Sequence, residues 1–219
     1  MRKYYYYQMD LVIMNILCLF LMIVLLIPNM FYFRYSFDPF IFLLFIGYLF
    51  LHEIFHGIGF YICGKAKHKN IVYGIELEKG IFYCMCKEEI SKFGICMSLL
   101  FPLIFLGFIT GIISYILYLP TLNFLSLMNV AGAIGDILMF YMILPMKDVS
   151  YKDLDDTSEF ILLSNEDLTS KSHLGLKIKE VGEYKELDAK NYKKVTITKT
   201  SLIFLLFFTS IILLGGLLK

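Results

Sequence analysis

Residues 39–63 read PFIFLLFIGYLFLHEIFHGIGFYIC. At a rise of 1.5 Å per residue this run is long enough for a hydrocarbon core of roughly 30 Å, which takes about 20 apolar residues. Yet it carries His52, Glu53 and His56 in its second half. A carboxylate at such depth costs a few kcal/mol, so a span that keeps one needs a metal, a partner or a water cavity to compensate.

Four other runs pass the same length test: Leu11 to Phe33, Phe93 to Leu119, Leu122 to Leu144, and Ser201 to Leu218. With 58% hydrophobic and 18% charged residues in 219, and a mean hydropathy of +0.71, the chain is too apolar to clothe one core in a polar surface. A soluble globular domain is nearly excluded, and the expected fold class is an all-α polytopic membrane protein of about five transmembrane helices with a small β-containing cytoplasmic loop region. A net charge of +1 leaves no basic excess to neutralise a phosphate backbone, so nucleic acid is not an expected partner. The five cysteines, at 18, 63, 84, 86 and 96, are too dispersed for a disulfide framework and are expected as free thiols. The first run lacks a small-residue cleavage site and reads as a retained span.

Basic residues set the expected orientation. With the N-terminus in the cytoplasm, 18 of the 20 Lys and Arg fall on the cytoplasmic side, leaving Arg34 and Lys219 outside. The expectation is an integral protein of the cell (plasma) membrane, N-terminus in and C-terminus out, with Tyr4 to Tyr7 in an interfacial aromatic belt. The chain divides into a membrane core over 1–145, a cytoplasmic segment over 146–199 that is small α/β or partly disordered, and a fifth helix over 200–219. Asn70 to Leu77 and Gly80 to Cys86 favour a hairpin near the membrane surface, and Phe160 to Leu163 and Val195 to Thr198 are strand-like.

His52-Glu53-Ile54-Phe55-His56 matches H-E-x-x-H. On a helix, positions i and i+4 lie about 40° apart, so both imidazoles reach one Zn²⁺, while Glu53 borders the same face and can take a proton from a water on the metal. Structural histidines facing a bundle interior are the alternative. A catalytic zinc site has three protein ligands and one open position. Asp136 is the remaining acidic residue placed well inside a span, at a depth similar to that of the two histidines, so one metal is within reach of both helices. Its alternative is a hydrogen bond across helices near Asn129. Competing ligands are His68, His173, Cys63, Cys84, Cys86 and Glu76, though Cys84 and Cys86 simply share one face of a strand. Gly57, Gly59, Ala131, Gly132, Ala133 and Gly135 suit close helix approach. Pro102, inside the third span, either opens backbone carbonyls to a polar cavity or is an ordinary kink.

His52-Glu53-Ile-Phe-His56-Gly57 in one span and Gly135-Asp136-Ile in a later one resemble the site-2 protease superfamily of intramembrane zinc metalloproteases, and more closely a zincin peptidase family of small bacterial membrane proteins. The likeness covers roughly residues 40–163. It implies His52, His56 and Asp136 as Zn²⁺ ligands and Glu53 as the catalytic general base. Gly135 precedes Asp136, whereas site-2 proteases place the aspartate before the glycine. The expected function is hydrolysis of peptide bonds in or near the membrane by a zinc-dependent endopeptidase. Its partners would be the lipid bilayer and a membrane protein or peptide substrate, with homo-oligomerisation left open. The alternative is a non-catalytic metal-binding membrane subunit, sensor or transporter reusing the same ligands.

Overall fold

The computed structural model describes residues 2–35, 39–76, 81–154, 159–170 and 175–183. Strand β1 (Lys3–Met9) leads into helix α1 (Leu11–Met30), whose N-cap Asp10 accepts a hydrogen bond from the Ile13 amide at 3.3 Å. Helix α2 (Pro39–Ile62) follows, and then the hairpin β2 (Ile71–Glu76) and β3 (Ile81–Cys86). The short strand β4 (Ile90–Ser91) ends in the N-cap of α3 (Lys92–Pro102), where Ser91 Oγ accepts from the Gly94 amide. Beyond Pro102 the third candidate span continues as a π-helical turn over Leu103–Ile109 and closes as α4 (Thr110–Ile116). Helices α5 (Pro120–Gly132) and α6 (Ile134–Ile143) meet at Ala133 with a bend of 45°. Strands β5 (Val149–Asp153), β6 (Glu159–Ser164) and β7 (Leu176–Glu183) complete the described chain.

These elements correct the all-α expectation. An antiparallel five-stranded sheet, in the order β4-β5-β6-β1-β7, accompanies the helices, and the expected hairpin is present as a second sheet of two strands. The expected five spans are corrected as well. Among the described residues three helical segments are long and apolar enough to cross a membrane, Leu11–Met30, Phe40–Ile62 and Lys92–Ile116, and the bent pair α5 and α6 makes up to a fourth. The fifth expected span, Ser201 to Leu218, lies outside the described residues, as do Val195 to Thr198 and His173.

Tyr4 to Tyr7 form the middle of β1 rather than an aromatic belt. Tyr5 pairs with Leu162 on one side and Val181 on the other, and Tyr4, Tyr5 and Tyr7 are fully buried. The Tyr7 ring stacks on Phe160 at 5.4 Å between centroids. A strand covered on both faces needs no polar alternation, and four identical residues offer none, so periodicity is silent here. One sheet face packs over the ends of the helices: Tyr5, Tyr7, Phe160 and Leu162 share a core with Phe60 of α2, Ile95 and Leu99 of α3, and Met139, Met142 and Ile143 of α6. The sheet thus caps the end of the helical layer nearest His56 and Asp136.

Candidate metal centre

Helix α2 presents His52 and His56 one turn apart, and the bend at Ala133 brings Asp136 into the first turn of α6, opposite them. Asp136 Oδ2 lies 3.2 Å from His52 Nε2 and 3.5 Å from His56 Nε2, and the two Nε2 atoms are 3.0 Å apart. Tetrahedral ligation at 2.0 to 2.1 Å separates ligand atoms by about 3.3 to 3.4 Å, so these spacings bracket what one zinc ion requires. Among the described residues this is the one group of three or more His, Cys, Asp and Glu side chains arranged to hold a metal.

The far side of each imidazole supports the same conclusion. His56 Nδ1 donates to the Ser98 carbonyl at 3.0 Å, since a carbonyl only accepts. His52 Nδ1 lies 2.8 Å from Asn129 Oδ1, and Asn129 Nδ2 donates to the Pro102 carbonyl at 3.0 Å, which fixes the amide so that its oxygen faces His52. Nδ1 of each ring therefore carries a proton, which leaves Nε2, on the inner side, as the ligand atom. That donor set, two imidazole nitrogens and a carboxylate, suits zinc.

Close packing explains how the helices come within reach. A β-carbon on Gly59 would sit 2.5 Å from Ser98 Cα, so only glycine lets α2 and α3 approach here. Ser98 Oγ in turn donates to the His56 carbonyl at 2.8 Å. Ala131 and Ala133 are buried, whereas a β-carbon on Gly132 would meet nothing within 4 Å, so close approach is not its role.

Glu53 sits beside both histidines and Asp136, with its carboxyl facing the Cys84 backbone amide of β3. The neighbouring Cys86 amide donates to Asp153 Oδ2 at 2.7 Å, and the Tyr151 hydroxyl donates to the other Asp153 oxygen. Burial pushes the Asp153 carboxyl up to about 7 against the pull of these two donors, and raises the Cys86 thiol to about 11. Of the competing ligands, Cys63, His68, Cys84 and Cys86 are not part of the three-ligand group, and the side chain of Glu76 is not among those described. Sequence reading missed the Ser98 carbonyl and Asp153. A backbone oxygen carries no sequence signal, and Asp153 is one acid among several in an acidic stretch.

No curated protein and no solved structure matches the chain. A family model does: residues 45–151, just under half of the chain, match the family described as Putative zincin peptidase (DUF3267). The matched segment runs from the first third of α2 into β5 and includes His52, Glu53, His56 and Asp136, which makes this part of the molecule similar to a zinc metallopeptidase.

Proposed function

We propose that the chain is an intramembrane zinc endopeptidase of the site-2 protease kind, with His52, His56 and Asp136 as ligands and Glu53 as general base. The observation that carries this reading is the meeting of three donor atoms from two helices at separations suited to one tetrahedral ion. When bound, zinc supplies a Lewis acid for the scissile carbonyl and makes a water acidic enough to lose its proton near neutral pH. With zinc held by His52, His56 and Asp136, the Glu53 carboxylate would accept a proton from the attacking water and return it to the departing amine nitrogen, the role of the glutamate in H-E-x-x-H. The Cys84 amide holds the Glu53 carboxyl in place, and Asp136 adds a negative charge that offsets the metal. His52 and Asp136 keep a small exposed fraction, 13% and 18% of their side chains, which leaves a route for water.

The substrate is a membrane protein or peptide reached within the bilayer. The chain lies in the plasma membrane with its basic residues on the cytoplasmic side, in accord with the distribution of Lys and Arg. The test is purified full-length protein in lipid vesicles with single-span peptide substrates, comparing wild type with Glu53→Gln. Loss of cleavage with zinc content preserved is expected. Cleavage at wild-type rate by Glu53→Gln would falsify the mechanism, and stoichiometric zinc without cleavage by wild type would point to a metal-binding subunit, sensor or transporter.

A further inference from the structure

Side chains on one stripe of α2 meet backbone carbonyls on one stripe of the third span. The Tyr48 hydroxyl donates to the Leu106 carbonyl at 2.7 Å; His52 reaches the Pro102 carbonyl through Asn129; His56 donates to the Ser98 carbonyl. Positions 48, 52 and 56 ascend by four while 106, 102 and 98 descend by four, as antiparallel helices require. A regular α-helix keeps its carbonyls for its own amides, so a row of them turned to a neighbour needs a cause.

Pro102 is that cause for the Ser98 rung, and it supplies the acceptor of the next. It has no N–H, so the Ser98 carbonyl four residues earlier loses its helical donor. The next amide, Leu103, bonds to Leu100 instead. The orphaned oxygen then takes its hydrogen bond from His56 Nδ1. Pro102 also stands where α3 passes into the π turn, and its own carbonyl receives Asn129 Nδ2, which turns Asn129 Oδ1 to His52 Nδ1. Asn129 is buried, so its amide has few other partners to choose from.

We propose that Pro102 and Asn129 are positioning residues that hold a proton on Nδ1 of both imidazoles and so present both Nε2 atoms to the metal position beside Asp136. The proposal rests on the metal-site reading of His52, His56 and Asp136. A missing amide on one helix and a side-chain amide on another thereby fix the protonation pattern of two ligands on a third. Outer partners of this kind are worth about 10- to 100-fold in metal affinity.

The experiment uses the full chain in detergent with zinc alone as probe, in competition with a chromophoric chelator. It is paired with ¹⁵N shifts of labelled histidine in metal-free protein and with thermal melting. Asn129→Ala should bind zinc about 10- to 100-fold more weakly and release His52 to a mixture of tautomers. Pro102→Ala restores an amide that competes for the Ser98 carbonyl. It should lower affinity by a similar factor and mix the His56 tautomers while melting no lower than wild type, because alanine favours the helix. Wild-type zinc affinity in either folded variant would overturn the proposal, as would an Nδ1 without a proton at either histidine of the wild type. If wild type binds no zinc, the metal reading fails by itself. The Nδ1 protons still decide the positioning role: Nδ1 protonated in wild type and only partly so in the variants sustains it, and any other pattern at Nδ1 ends it.

Discussion

Gly59 of α2 and Ser98 of α3 touch backbone to backbone, with no room for a β-carbon between them. Because the obstacle at 59 is a main-chain atom, it cannot swing aside. Gly59→Ala should destabilise by about 1 to 3 kcal/mol, the range for overpacking a tight contact. It should also loosen zinc by moving the Ser98 carbonyl away from His56. At Gly57 the obstacle is the Tyr73 hydroxyl, the end of an exposed side chain, so Gly57→Ala should be milder. Thermal melting of the two variants side by side checks the order, and an equal or reversed order would contradict it.

Asp136→Asn keeps the shape of the side chain and removes its charge. Asp136 Oδ2 is within 3.5 Å of both imidazoles, so zinc affinity should fall by more than the roughly 10- to 100-fold expected of an outer partner. Chelator competition on the purified variant reads this directly. Wild-type affinity would remove Asp136 from the ligand set and return it to the helix-bonding role.

Asp153 makes stability depend on pH. Burial raises its carboxyl to about 7, whereas an aspartate in an unfolded chain titrates at about 3.9. The folded state holds this proton more tightly, so the contribution is full below about pH 4 and is lost as the pH rises to about 7. Asp153→Asn keeps an acceptor for the Cys86 amide and cannot ionise. The variant should therefore show a flatter melting temperature between pH 5 and 8 than wild type, and an unchanged slope would assign the dependence to another group.

Tyr7 anchors the centre of the sheet through its stack on Phe160, itself stacked on Tyr151 at 5.6 Å. Truncating a fully buried aromatic typically costs about 3 to 5 kcal/mol. Tyr7→Ala should release β6 and β7 together, visible as faster amide exchange at Phe160 to Leu163 and at Leu176 to Val181. Exchange unchanged in either strand would show that β1 does not hold them.

The helices and the polar cluster of α2 were legible in the sequence for opposite reasons. A span announces itself by uninterrupted apolarity, and His52, Glu53 and His56 stand out because such a run should exclude them. The hairpin Ile71 to Cys86 and the strand at Phe160 to Leu163 were local patterns too. The five-stranded sheet was hidden because β1 finds its partners near residues 160 and 180, and no window along the chain sees both ends of a pairing. The bend at Ala133 was equally silent, since Asn129 to Gly135 continues the apolar run across it. Pro102 was visible as a kink, but its use became apparent only when His56 was seen against the Ser98 carbonyl.

Hydrogen-bonded strands must share one side of a bilayer, and that turns the sheet order into a rule of parity. Strand β1 precedes α1, β4 follows α2, and β5 follows α6, yet all three are stitched into one sheet. If its apolar helices cross a bilayer, the chain must therefore traverse it an even number of times between β1 and β4, and likewise between β4 and β5. If Lys92–Ile116 goes across, the elbowed pair of α5 and α6 has to make the full return journey, carrying Asp136 back through the hydrocarbon to the histidines.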